Sequence, residues 1–136
     1  MAKATFTILA ALSLAATSLT AQSRQGITVN VPFTFVAGAK AYPAGVYNVQ
    51  ANPAEGVVSI SGADSEASQF MLAKPLVSMK RTDLMALRFN RYDDRYFLSQ
   101  IWLGGGLGRE LRKTRAEREI ATGGKHTVTV TLAATR

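Results

Sequence analysis

The chain has 136 residues and no cysteine, and its 16 Lys and Arg residues against 9 Asp and Glu residues give a formal net charge of +7. The lack of cysteine excludes disulfide scaffolds, thiol nucleophiles and cysteine-ligated zinc, and the single histidine excludes sites with several histidine ligands. A chain of this length accommodates one domain of ordinary size. The predicted elements therefore have to build one core that no disulfide bond supports.

Residues 1–21 have the three-part pattern of a secretory signal peptide. Lys3 forms a short basic start, an apolar stretch follows from Phe6 to Leu14, and small and polar residues continue to Ala21. The apolar stretch is shorter than the roughly 20 residues that span a bilayer. We therefore expect export to the periplasm, the cell surface or the extracellular space. Cleavage is expected after Ala21 or, as the alternative, after Ser18.

The remainder, residues 22–136, is interpreted as a single β domain. Apolar residues alternate with polar ones at period two, first in Gly26–Phe35 and last in Thr127–Leu132, as they do in strands with one buried face. About seven such short segments, separated by Pro and Gly turns, predict an all-β fold that is an antiparallel sandwich or a small barrel. Pro32 has no N–H to donate, so the first strand is an expected sheet edge, and the Thr-rich last strand is another.

A hairpin is predicted around Asp93-Asp94, between two alternating segments. Asp tolerates the left-handed backbone that a two-residue turn requires. This turn sets Arg91 opposite Tyr96. It also sets Tyr92 opposite Arg95, and an arginine over a tyrosine ring contributes about 0.5–1 kcal/mol at an exposed site. The basic and aromatic residues of this hairpin form a candidate ligand or partner surface: Arg88, Arg91, Tyr92, Arg95, Tyr96 and Trp102.

A charged segment, residues 109–121, follows the glycine-rich run 104–108 and is the one helical candidate. The glycine run lacks the lysine and hydroxyl residues of a phosphate-binding loop. The apolar stripe of the charged segment is thin, so it is predicted to be a short surface helix or an ordered arm. Such an arm would dock on its own domain or on a neighbouring molecule. The candidate docking residues are Arg109, Glu110, Leu111, Arg112, Arg115, Glu117, Arg118 and Glu119.

Three phrases of the sequence together resemble one group of proteins. They are VPFTFVAGAKAYPAGVYNV (residues 31–49), LRFNRYDDRYFLSQIW (87–102) and GRELRKTRAERE (108–119). Their order is similar to that in small exported β-rich proteins of unassigned function that are abundant in Acidobacteria, and it covers nearly the whole mature chain. The resemblance implies export and a β-rich fold, and it carries over no catalytic residues.

No motif indicates catalysis. His126 is the one imidazole, and the sequence contains no G-x-S-x-G motif or other signature of the nucleophile and carboxylate that a catalytic triad requires. Asp93 and Asp94 are adjacent on a tight turn and diverge too far for paired acid–base chemistry. We therefore expect a non-enzymatic exported domain without a cofactor or a bound metal. Its predicted role is that of a structural or interaction module in the cell envelope or outside the cell, which self-associates through edge strands.

The alternative interpretation is a binding module for carbohydrate or an anionic polymer. Ten basic and five acidic residues lie between Lys80 and Arg118, and a basic face attracts anionic partners. An anionic polysaccharide is then the expected ligand, and nucleic acid is not expected because the protein is exported. No transmembrane segment is expected after removal of the signal peptide. A hydrolase that uses His126 as its base is the remote alternative.

Overall fold

The computed structural model of the chain describes residues 25–52, 56–63, 68–80 and 83–135. The predicted signal peptide lies outside these ranges. The described residues form ten strands and one helix, which are β1 Gln25–Val31, β2 Phe35–Ala37, β3 Lys40–Tyr42, β4 Gly45–Asn52, β5 Val57–Gly62, β6 Ser68–Val77, β7 Met85–Tyr92, β8 Arg95–Leu103, β9 Leu107–Leu111, α1 Arg115–Thr122 and β10 Thr127–Ala133.

The all-β prediction is confirmed, and the described strands form an open, sandwich-like sheet with one short helix. The described residues form ten strands, where the sequence predicts about seven. The strands β2 and β3 have three residues each, which is too few to produce a recognisable alternation. The strand β9 ends within the charged segment that the sequence predicts to be a helix or an arm, and it includes the first three residues of that segment.

Neighbouring strands follow the order β1-β4-β5-β6-β9-β8-β2-β3, while β7 lies on the other side of β8 and β10 lies beyond β7. The ladder between β2 and β8 is parallel, and the other ladders between described strands are antiparallel. The long strand β6 pairs with β5 through its first half, Ser68–Leu72, and with β9 through its second half, Ala73–Val77. This strand therefore links the two halves of the sandwich.

The sheet stays open between β1 and β10, the two strands predicted to be edges. Among the described residues, one bridge joins β1 to the chain just after β10, where the Thr135 N–H donates to the Thr28 carbonyl at 2.7 Å. Continuation of that antiparallel register would set Pro32 opposite Thr131. Proline has no N–H to donate to a ladder, and β1 ends at Val31, one residue before it.

The core lies between the two halves of the sheet and contains a cluster of aromatic side chains. Phe35 is 1% exposed, and its ring centroid lies between 5.1 and 5.4 Å from those of Tyr42, Tyr47 and Phe89. The Tyr42 hydroxyl donates to Oε1 of Gln69 at 2.7 Å. Burial raises the pKa of both tyrosines, and the neighbouring Tyr47 adds to the increase in the pKa of Tyr42.

Candidate functional site

The hairpin of β7 and β8 has the register that the sequence predicts. Arg91 is paired with Tyr96, and Tyr92 is paired with Arg95. Asp93 has a φ of 55°, the left-handed conformation expected for the turn. The Arg91 guanidinium carbon lies 5.7 Å from the centroid of the Tyr96 ring, so the predicted cation–π contact is present in this pair. In the other pair, Arg95 lies over the Phe97 ring instead of the Tyr92 ring.

The Asp93 side chain has a second role at this turn, because it binds Lys125 just before β10. Lys125 Nζ lies 2.7 Å from Oδ2 of Asp93, and both side chains are exposed. The hydrogen bond from Lys125 and its positive charge hold the pKa of Asp93 below its usual value. The ion pair therefore connects the hairpin turn to the segment that leads into the last strand.

The six candidate surface residues of the hairpin do not form one surface, so that part of the prediction is wrong. Successive side chains of a strand point to opposite faces of the sheet. Tyr96, together with its partner Arg91, is on the core side, where its ring stacks on Phe33 with centroids 3.7 Å apart. The other four lie on the outer face and are Arg88, Tyr92, Arg95 and Trp102.

Tyr92 is 1% exposed and is therefore not a ligand contact. Its ring meets Phe97 edge to face with centroids 5.8 Å apart, and its hydroxyl lies 3.2 Å from Oε1 of Glu117 on α1. Arg95 covers the other aromatic ring of this pair, with its guanidinium carbon 5.4 Å from the Phe97 centroid. Glu117 of α1 thus lies over the outer face at Tyr92.

The charged segment 109–121 is neither one helix nor one arm. Its first three residues belong to β9, and Leu111 packs in the core. The helix begins later because Thr114 is its N-cap: Oγ1 of Thr114 accepts the Glu117 N–H at 3.2 Å. The spacing Thr-x-x-Glu at this point is the sequence signature of a helix start. That spacing, rather than the charge pattern, locates the N-terminus of the helix.

Glu117 docks α1 on its own domain, which is one of the two outcomes expected for the arm. Its side chain is 3% exposed, and Oε1 accepts a hydrogen bond from Asn90 Nδ2 at 2.8 Å. Arg115 and Glu119 form an exposed ion pair at 3.1 Å. The remaining helix-side candidates, Arg112 and Arg118, are exposed as well. Of the predicted docking residues on or beside the helix, Glu117 is the buried one.

Arg88 and Trp102 remain together on the outer face and line a cavity of about 220 Å³. The Arg88 guanidinium carbon lies 5.5 Å from the centroid of the indole. Gly108 lies opposite Trp102 on β9 and leaves room for the ring, because a Cβ there would come within 2.8 Å of it. Of the six predicted surface residues, these two line the same cavity, and its other described lining residues are Ser78, Lys80 and Leu84.

A second exposed feature is the apolar face of β6, away from the hairpin. Phe70 is 74% exposed, and Leu72 is exposed to a similar extent. Two shallow cavities of about 390 and 270 Å³ flank this face and share Leu72 and Arg112. Large contiguous apolar patches mark interaction surfaces, whereas single exposed apolar side chains are ordinary.

His126, the one imidazole, is exposed and immediately precedes β10. Within the described ranges, no group of three or more His, Asp and Glu side chains is arranged so that it could hold a metal ion. Among the same residues, no helix has the length and apolar character needed to cross a membrane. Comparisons with protein-family models, with curated proteins and with solved structures find no match for this chain.

Proposed function

We propose that the protein is an exported, non-enzymatic interaction module of the cell envelope or the extracellular space, which self-associates through the free edge of β10. The observation that carries the proposal is the position of this strand. In the part of the chain that the structure describes, β10 has one laddered neighbour, β7. Most of its seven residues are exposed, and Val128 is among them.

The backbone groups available on this edge follow from the pattern of hydrogen bonds. The Ala134 N–H donates to the Met85 carbonyl at 2.8 Å, toward β7, whereas the Thr135 N–H donates toward β1. Antiparallel ladders alternate between residues that bond to the neighbour and residues that point away from it. The backbone N–H and C=O groups that point away from β7 therefore belong to Thr127, Thr129, Thr131 and Ala133.

Nothing in the sequence of β10 blocks pairing with another strand. Natural edge strands usually carry a charge, a proline or a bulge that prevents edge-to-edge association. The strand TVTVTLA has no charged residue and no proline, and its ladder with β7 has no register shift. Val and Thr also favour extended structure. Antiparallel pairing of β10 with the same strand of a second copy gives a closed, twofold-symmetric contact.

Replacement of Thr129 by proline is expected to prevent self-association while the fold is retained. Proline removes an outward N–H and leaves the bonds to β7 in place, and edge strands tolerate proline at such positions. The wild-type protein should show a concentration-dependent dimer in sedimentation velocity. The dimer dissociation constant should rise at least about tenfold in Thr129→Pro, because two intermolecular hydrogen bonds are lost.

Thr129→Val is the matched control, since it keeps the N–H and should dimerise like the wild type. The urea midpoint of Thr129→Pro verifies that the variant is folded. A wild type that stays monomeric at every concentration contradicts the proposal. Equal dimerisation of the proline and valine variants also contradicts it.

Export is tested by the N-terminus of the protein isolated from its native cell. The basic, apolar and small-residue zones of residues 1–21 support cleavage by a signal peptidase. We expect mass spectrometry to find Gln22 as the first residue, or Leu19 if the cut follows Ser18. A protein that retains Met1 argues against export by this route.

A further inference from the structure

The cavity beside Trp102, on the outer face of β7 and β8, has a composition that suits an anion. We propose that it binds one oxyanion group, a carboxylate or a sulfate, of an acidic polysaccharide. Its described lining residues include two cations, Lys80 and Arg88, and a hydroxyl, Ser78, and none of them is acidic. The site is separate from the backbone edge of β10, so it does not depend on self-association.

Arg88 is an unpaired cation among the described residues. It forms no ion pair with another described residue, and its hydrogen bond from Nη1 to Oε1 of Gln100 is long, at 3.5 Å. Its Nε is buried and has no partner in the described part of the chain. A guanidinium carries five N–H donors and no acceptor. Because a partly buried charge without a counter-ion is unfavourable, an anion in the adjoining cavity would stabilise it.

The guanidinium is held in place before any ligand arrives. It lies against the indole of Trp102, and the indole Nε1–H donates to the same Gln100 oxygen at 3.1 Å. Gln100 is in turn oriented by Glu110, the acceptor of a 3.4 Å hydrogen bond from its Nε2. Glu110 is on β9 and Arg88 is on β7, two strands away. At the usual strand spacing their backbones are about 10 Å apart, so Glu110 is not an ion-pair partner of Arg88. Preorganisation of this kind reduces the entropy lost on binding.

The segment after β6 brings the second cation and the hydroxyl to the cavity. The Ser78 N–H donates to the Gly106 carbonyl at 2.7 Å, which ties the segment to the turn between β8 and β9. The Lys80 N–H donates to Oγ of Ser78 at 3.2 Å. Since Oγ accepts that bond, the Ser78 O–H remains a donor for an anion.

The shape of the cavity favours a charged substituent over a sugar ring or a base. Its volume of about 220 Å³ is below the roughly 300 Å³ of a typical small-molecule pocket. Trp102 is 8% exposed, and its ring faces Arg88. It therefore offers no platform for the base stacking on which single-stranded nucleic acid binding depends. The charge of a polysaccharide substituent is what this site can recognise.

Trp102 is the single tryptophan of the chain, so its fluorescence reports on this cavity. The purified protein is titrated at constant ionic strength with oligogalacturonate, with a sulfated oligosaccharide and with neutral maltohexaose. We expect a saturable change in emission with at least one acidic oligosaccharide and none with the neutral one. The affinity should fall as sodium chloride is added, because salt screens the charges.

Three variants, each with one positive charge removed, locate the site. Arg88→Gln should weaken binding about tenfold or more, and Lys80→Gln should weaken it about threefold. Lys74→Gln, an exposed lysine on β6, is the matched control and should bind like the wild type. Urea unfolding verifies that each variant is folded. If Arg88→Gln does not fold, Lys80→Gln still tests the site, because Lys80 is exposed and its replacement should not disturb the fold.

Several results would overturn the assignment. One is an emission change that does not saturate, and another is an equal affinity of the Lys80, Arg88 and Lys74 variants. Tighter binding of a single-stranded oligonucleotide than of the acidic oligosaccharides would assign the site to a different class of ligand. Binding of inorganic phosphate or sulfate without binding of either acidic oligosaccharide would reject the polysaccharide.

Discussion

Replacement of Phe35 by alanine is expected to lower the free energy of unfolding by about 3–5 kcal/mol. Phe35 lies on β2, a strand of three residues that pairs with β8 through two of them. Its ring packs against Tyr42, Tyr47 and Phe89. Alanine removes these contacts and leaves a cavity that rigid neighbouring rings fill only in part. The chain has no disulfide bond to compensate for the loss.

Phe70→Ala is the matched control for this substitution, because it removes the same atoms from a side chain that is 74% exposed. Its free energy of unfolding should stay within about 0.5 kcal/mol of that of the wild type. Urea unfolding followed by Trp102 fluorescence measures both variants. Similar losses in the two variants would contradict the arrangement of the core described above.

Replacement of Glu117 by alanine is expected to lower the free energy of unfolding by about 2–3 kcal/mol. The variant loses hydrogen bonds to a charged group and leaves their buried partners without an acceptor. The carboxylate accepts a hydrogen bond from Asn90, and its Oε1 is also within hydrogen-bonding distance of the Tyr92 hydroxyl. Without it, that hydroxyl stays buried with no described partner, and α1 loses its contact with the outer face of the hairpin. Protection of the helix amides from hydrogen exchange should fall together with the urea midpoint.

Glu119→Ala is the control that separates the effect of the buried position of Glu117 from the effect of removing one negative charge from the helix. Glu119 lies two residues later on the same helix and pairs with Arg115 at the surface. Exposed pairs of this spacing contribute about 0.5 kcal/mol or less, so the variant should unfold close to the wild-type midpoint. Glu117→Gln keeps an acceptor oxygen, so its urea midpoint should lie between those of Glu117→Ala and Glu119→Ala. Equal losses for Glu117→Ala and Glu119→Ala would show that Glu117 does not anchor the helix.

The hairpin illustrates what a local pattern can predict and where it stops. The alternation on both sides of Asp93-Asp94 predicts two strands joined by a two-residue turn. Because the length of the turn fixes the register of the strands, it also predicts that Arg91 is paired with Tyr96. The same alternation places sequence neighbours on opposite faces of the sheet. Tyr92 and Tyr96 are therefore separated, although both belong to the basic and aromatic phrase that suggested one surface.

The burial of Glu117 could not be inferred from its own segment. A glutamate among many charged residues is expected to be exposed. Its hydrogen-bond partners, Tyr92 and Asn90, lie 25 and 27 positions earlier in the chain. The carboxylate reaches them because β9 pairs with β8 and the helix then begins at the Thr114 cap, which places α1 against the outer face of the hairpin.

Composition and periodicity by themselves determined that the chain builds an all-β domain without disulfide bonds, with β1 and β10 as edges and a tight hairpin at Asp93-Asp94. These features depend on the residues within each segment, through side-chain alternation and turn chemistry. Only the tertiary structure decided the order of the strands, the gap beside β10, the burial of Glu117 and the cavity at Trp102. Each of these depends on contacts between residues far apart in the chain, and local propensity does not encode such contacts.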